Sequence, residues 1–420
     1  MSNVPDIRFK GFTDAWEQRE FFENIERIID FRGKTPKKLG LNWSNQGYLA
    51  LSALNVKNGY IDLSVEANYG DESLYSKWMG NNKLEKGQVL FTTEAPMGNI
   101  ARVPDNKGYI LSQRTISFVT KQSKLIDEFL YVLLGTQSVK TSLNSMSSGG
   151  TAKGISQRSL KNLYVTVPSS IEEQKKIGDT IILIEDTITL LQRKIDNLKK
   201  VKKGLLQKFF PLEQSINPQV RFSGFNQDWE QRNISEISKV FIGLVTTMTS
   251  NYSDKGTLLI RNSDIKDGYF EFNEKPIYLT EEFANKNISR MHQVGDVITV
   301  HTGDVGTSAV INEKEKNSIG FATIVTRPNQ NILSPDFLST FLNTSRHKNW
   351  ALSVSTGDGR VNYNLKDYKR TMINVPSIEE QKQISSVIKN INLTITLLQK
   401  ELEMNNQIKK GFLQKLFPKE

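Results

Sequence analysis

The stretch Ser170–Pro211, SIEEQKKIGDTIILIEDTITLLQRKIDNLKKVKKGLLQKFFP, occurs twice. At Ser377–Pro418 the chain reads SIEEQKQISSVIKNINLTITLLQKELEMNNQIKKGFLQKLFP. Ile171 aligns with Ile378 and the offset of 207 stays constant, with roughly half of the aligned positions identical. A period of about 210 residues means two domain-sized copies, since solenoid repeats are about 20–50 residues long.

Each copy opens with a helix-start signal. Ser170 and Glu173 form S-x-x-E, as do Ser377 and Glu380. In such a capping box the Ser hydroxyl accepts from the third helical N–H and the Glu reaches back to the cap N–H. Pro168 and Pro376 sit just upstream, and Glu172 and Glu379 place favourable negative charge in the first turn. Apolar residues then recur at alternating steps of four and three: Ile177, Ile181, Ile184, Ile188, Leu191, Ile195 and Leu198 in the first copy. The second gives Ile384, Ile388, Ile391, Ile395, Leu398 and Leu402, and then Asn405. This is a heptad seam that pairs two helices, and a polar seam residue such as Asn405 can fix register at a cost in stability. Each helix is expected to span about 40 residues, about 60 Å at 1.5 Å per residue. Pro211 and Pro418 are the stops.

The rest of the chain repeats more loosely. IRFKGFTDAWEQRE (7–20) returns as VRFSGFNQDWEQRN (220–233), read as docking segments whose aromatics bury locally. The K-[ND]-G-Y turns at Asn58-Gly59 and Asp267-Gly268 suit tight hairpins. GQVLFTTEAPMG (87–98) and GDVITVHTGDVG (295–306) read as strands leading into polar loops. Amphipathic helices are predicted around 126–145 and 335–353, followed by the Gly/Ser loops SSGGTAKGIS (147–156) and STGDGRVNYN (355–364). LYVTVP and TMINVP are last strands into the long helices, and 212–220 is a linker.

A chain of 420 residues can hold two or three domains. Its net charge of +10 favours a polyanionic partner. The absence of cysteine excludes disulfides, Cys-ligated zinc and thiol catalysis. MSNVPDIRFKGF lacks the apolar core of a secretion signal, and apolar runs such as Phe129–Leu134 are too short to span a bilayer, so a cytoplasmic protein without membrane contact is expected. The sequence carries no P-loop, G-x-G-x-x-G, H-E-x-x-H or G-x-S-x-G motif. Its three histidines, His292, His301 and His347, lie in the second copy without ligand spacing. No catalytic residue and no metal ligand is assigned.

Polar loops recur at equivalent places and supply the candidate DNA-binding residues. FRGKTPKK carries Arg32, Lys34, Thr35, Lys37 and Lys38; its counterpart near 243–250 has Thr246 and Thr247 without charge. The strand ends give Thr92 and Thr93 in one copy, His301 and Thr302 in the other. Gln113 and Arg114 have no clean partner, and Arg261 follows a strand of the second copy. The Gly/Ser loops supply Lys153, and Arg360, Asn362 and Asn364. Arg, Lys, Asn and Gln can read base edges, whereas Ser, Thr and Lys mostly hold phosphates. A coiled-coil assembly scaffold without DNA specificity is the alternative, and it predicts binding insensitive to salt.

VPSSIEEQKKI and VPSIEEQKQI, duplicated before long heptad helices and each preceded by a Gly/Ser loop and a last strand, resemble the specificity subunits of type I restriction–modification systems. The resemblance covers the whole chain. It implies an α+β protein with an internal pseudo-two-fold repeat: target recognition domains of mixed α/β type at 1–168 and 212–376, and spacer helices at 169–211 and 377–420 packed antiparallel as a coiled coil. It further implies that each recognition domain reads one half of a split site in double-stranded DNA. Two methyltransferase subunits would dock on the helices and two motor–nuclease subunits would complete the complex. S-adenosylmethionine, ATP and Mg would be held by those partners, with no cofactor on this chain.

Overall fold

The computed structural model describes residues 3–65, 67–149, 153–212, 215–272, 275–357 and 359–418. The Gly/Ser loops therefore lie partly outside the described residues, at 150–152 and 358. The chain forms two compact units, Met1–Gln192 with Glu401–Glu420, and Arg193–Lys400. These cut the chain differently from the expected domain boundaries. Each unit holds one globular part, the first turns of its own long helix and the last turns of the other.

The long helices run Ile171–Phe209 and Ile378–Lys415. Ser170 and Ser377 cap them, each Oγ accepting from the backbone N–H of Glu173 or Glu380 at 3.3 Å. The reciprocal half of the capping box does not form. Glu173 instead accepts both prongs of Arg8 (2.6 and 2.8 Å), and Glu380 those of Arg221 (2.9 and 2.7 Å). A planar guanidinium matches a carboxylate in this fork geometry, which a single backbone N–H cannot rival. The neighbouring glutamines are latches too. Gln174 accepts from Ile126 N and donates to the carbonyls of Lys124 and Pro168; Gln381 accepts from Ser334 N and donates to Ile332 and Pro376. The E-Q pair thus ties each helix start to its own globular part.

All seam residues are buried or half-buried. Ile177, Ile181, Leu191, Ile195, Ile384, Ile388 and Ile395 are buried; Ile184, Ile188, Leu198, Ile391, Leu398, Leu402 and Asn405 are intermediate. Asn405 donates to the Glu401 carbonyl of its own helix, so its amide does not bond across the seam. In each unit the start of one helix lies beside the end of the other, which is antiparallel order. Lys409 meets Glu185 at 2.7 Å in the first unit, and Leu205, Leu206, Phe209 and Phe210 share a core with Ile384 and Ile388 in the second.

The two globular parts share one plan. A four-stranded antiparallel sheet runs Ile25–Ile29, Thr115–Thr120, Val89–Thr92, Ile100–Arg102 in the first unit, and Ser238–Ile242, Ile324–Pro328, Val297–Thr299, Ser308–Val310 in the second. A second sheet contains a parallel pair, Tyr48–Leu51 with Ile110–Leu111, matched by Thr257–Arg261 with Ile319–Phe321. Side chains alternate across a strand. Val89 and Phe91 accordingly enter one core with the helices, while Leu90 enters another with the second sheet. Val297 and Ile298 divide in the same way.

The second hairpin is a two-residue turn, Ile265–Lys266 pairing with Tyr269–Phe270 around Asp267-Gly268, where Gly268 has φ +87°. The predicted amphipathic helices are each two helices, Asp127–Leu134 with Gln137–Met146, and Pro335–Leu342 with Ser345–Val354. Thr136 and Thr344 make the break by capping the second helix of each pair.

The repeated lead-in segments dock on helix ends. Trp16 packs edge-on against Phe129 and Phe417, and Trp229 against Phe337 and Phe210. Ile7 N–H donates to the Lys415 carbonyl at 2.9 Å; Val220 N–H donates to that of Lys208 at 3.1 Å. Among the described residues no helix is long and apolar enough to cross a membrane.

Candidate nucleic-acid interface

In the first unit, loop 31–43, the end of helix Glu72–Met79 and the turn 112–114 enclose a cleft of about 660 Å3. Lys34, Thr35, Lys37, Gln113 and Arg114 all line it. They are not equally free. The Lys34 ammonium donates to the Trp78 carbonyl at 2.6 Å and lies over the Phe31 ring at 4.7 Å, and burial lowers its pKa. It is tied to a helix C-terminus, where a cation is favoured, and holds the loop. Lys38 is likewise bonded to the Gly33 carbonyl. Lys37 and Gln113 are exposed with no partner among the described residues. Arg114 has φ +63° and pairs with Glu94 at 3.0 Å at the surface. Arg32 is exposed, 3.8 Å from Asp30.

The register of the two four-stranded sheets matches the strand ends residue by residue. Phe91 pairs with Ile116 as Thr299 pairs with Ile324. Thr93 carbonyl accepts from Ile155 as that of His301 accepts from Tyr363. Thr93 therefore corresponds to His301 and Glu94 to Thr302. Thr92 and Thr93 are buried. Thr92 Oγ1 donates to the Pro96 carbonyl and Thr93 Oγ1 to that of Arg114, so both hydroxyls shape the loop instead of facing solvent.

In both units the two described ends of the Gly/Ser loop bridge each other, and one of them touches this strand end. Ser148 bridges Gly154, which bridges Glu94; Thr356 bridges Asn362, which bridges Thr302. Lys153 and Arg360 are exposed beside these bridges. The second unit carries a hydrogen-bonded chain here. His301 Nδ1 meets Thr302 Oγ1 at 2.8 Å, Thr302 Oγ1 donates to Asn362 Oδ1 at 2.7 Å, and Asn362 Nδ2 donates to the Arg360 carbonyl at 3.2 Å. Asn364 donates to Thr356 Oγ1. Burial lowers the His301 pKa. Thr246 and Thr247 are exposed in their own loop.

Arg261 is held by a neighbouring carboxylate. Its guanidinium grips buried Asp264 through two bonds of 3.1 and 2.9 Å, the charged version of the Ser52–Asn55 pair at the same place in the first unit. Sequence reasoning missed Asn42, Trp43 and Asn68 in the cleft. It also missed Asn262, which accepts from His301 N and donates to the Ala322 carbonyl. Asn42-Trp43, an amide and an aromatic directly after a basic loop, was the available signal. Asn262 had none beyond its type.

Two stretches of the chain, residues 17–200 and 226–410, match the family described as the type I restriction modification DNA specificity domain. The chain belongs to this family. A specificity-domain relative, the Escherichia coli type I restriction enzyme EcoBI specificity subunit, is 23% identical over 66% of the chain and 60% of the relative. The chain thus spans about three fifths of that subunit's length. The Methanocaldococcus jannaschii MjaVIII specificity subunit is 21% identical over 73% of each chain. The specificity-domain fold extends across the whole molecule: the crystal structure of the type I restriction–modification S subunit from M. genitalium superposes with a TM-score of 0.67, covering 99% of this chain and 100% of that one, at 15% identity.

Proposed function

We propose that the chain is the DNA-recognition subunit of a type I restriction–modification complex, each unit reading one half of a bipartite site. One observation carries this reading. The same loop cluster is built twice on one frame, yet the reading positions differ: Thr93, Glu94, Arg114 and Gly154 in one unit, His301, Thr302, Ala322 and Asn362 in the other. Two heads of one design with different side chains suit two unrelated half-sites. The net charge of +10 supports a polyanionic partner.

Two methyltransferase subunits would dock on the helices. In support, two exposed apolar pairs recur at equivalent places: Leu190 and Leu397, and Val201 and Ile408. Adenine methylation would take place on those subunits, with the base drawn out of the stack. Two motor–nuclease subunits would supply cleavage, and S-adenosylmethionine, ATP and Mg would bind to partners, leaving this chain non-catalytic and in the cytoplasm with the DNA.

Mapping methylated adenine across the genome of cells expressing the chain with its methyltransferase tests this. A split motif of two unrelated halves, absent without the chain, is the expected result. No chain-dependent methylation, together with DNA affinity indifferent to salt, would point to a scaffold instead.

A further inference from the structure

We propose that His301 reads an exocyclic amino group on a base of the second unit's half-site, as a hydrogen-bond acceptor through Nε2. The inference rests on the DNA-recognition reading above and names a residue and a chemistry within it.

The direction of each bond follows from the chain of partners. Asn362 Nδ2 donates to the Arg360 carbonyl, which fixes the amide and turns Oδ1 toward Thr302. A carboxamide oxygen only accepts, so the Thr302 hydroxyl spends its single hydrogen on it. Thr302 Oγ1 can then only accept from His301 Nδ1, which must carry the hydrogen. In a neutral imidazole the other nitrogen is then a bare lone pair. Burial of the ring favours that neutral form. Nε2 has no partner among the described residues and is not enclosed away from solvent. The ring is held from behind: His301 N–H donates to Asn262 Oδ1 at 2.8 Å, and its carbonyl accepts from Tyr363 at 2.8 Å.

An outward acceptor restricts what can be read. The phosphodiester backbone of DNA offers acceptors alone, so Nε2 has nothing to take from it. The groove donors are adenine N6 and cytosine N4 in the major groove and guanine N2 in the minor groove. The first unit has a threonine, Thr93, at the corresponding place, with its hydroxyl turned inward. The device belongs to the second unit's half-site.

The test begins with the motif methylated by the wild-type chain with its methyltransferase. H301A is expected to loosen one base pair of one half-site and leave the other half intact. T302V removes the acceptor that holds the hydrogen on Nδ1, so it should loosen the same base pair while the rest of the motif stays strict. Duplexes lacking the amino group at that pair are then compared for binding: purine for adenine, 2-pyrimidinone for cytosine, hypoxanthine for guanine. Wild type should lose about tenfold in affinity on one of them, a typical size for one hydrogen bond in a buried interface, and H301A should lose nothing further. Which analogue matters identifies the groove. A bipartite motif that H301A leaves unchanged overturns this proposal and leaves the DNA-recognition reading standing. Absence of any bipartite motif overturns that reading itself. Should H301A fail to fold, T302V and wild-type complexes that both ignore loss of every amino group in the motif overturn the proposal.

Discussion

Glu173 and Glu380 look like members of capping boxes, yet the structure commits both to arginines that arrive from the lead-in segments. Both carboxylates are almost fully buried. Removing one partner of a buried pair leaves an uncompensated charge and costs about 3–5 kcal/mol. E380A should therefore lower the denaturation midpoint of the chain far more than E379A, whose carboxylate is exposed. The basic residues separate in the same manner. K34A should destabilise the first unit by freeing the loop, whereas K37A and R360A should leave folding unchanged and lower the salt slope of DNA binding by about one each. His292 and His347 are buried, and burial pushes each pKa down to about 4 from 6.5. Asp296 and Arg327 face His292; the Leu342 carbonyl and Lys348 face His347. The unfolded chain binds more protons between these values, so the stability they contribute is complete above pH 6.5 and is lost as pH falls through 4. Urea midpoints should fall on acidification, and replacing both histidines by glutamine should flatten the fall.

The long helices were the most legible elements. Heptad spacing and caps marked their starts within a residue, because seam burial and end chemistry are local. The amphipathic helices were harder. Their apolar pattern continues across Gly135 and Asn343, and only the capping threonines reveal the break. Hairpin turns were readable because Asn-Gly and Asp-Gly allow few conformations. The loop site was legible as a set of loops and not as individual contacts. Arg261 and Lys34 look alike as basic loop residues in sequence, but a carboxylate three residues on holds the first and a carbonyl at a helix end holds the second. Ladder pairing aligns Thr93 with His301, the match that the equal-length segments 87–98 and 295–306 already give. The helices allow a paired test. Asp at Ile188 and Ile395, both in the seam, should abolish assembly. Asp at Leu190 and Leu397, both exposed, should leave the fold intact and prevent methyltransferase co-purification.

At the scale of the whole molecule, each unit is completed by a helix end from the other copy. Phe209 and Phe210 belong to the core around Trp229, and Phe417 to that around Trp16. A chain ending at Pro211 would carry both a docking segment and an unused helix end. Size-exclusion chromatography with light scattering should find it as a symmetric dimer, each end docked on its twin. The contact from Ile7 to Lys415 has a further consequence, since its counterpart from Val220 to Lys208 is spanned by continuous peptide. The two junctions between a lead-in segment and a helix end are therefore built to the same pattern. A gene reopened in the 212–220 linker, with a short bridge joining the segments around Ile7 and Lys415, should encode a subunit that directs its methyltransferase to the same motif.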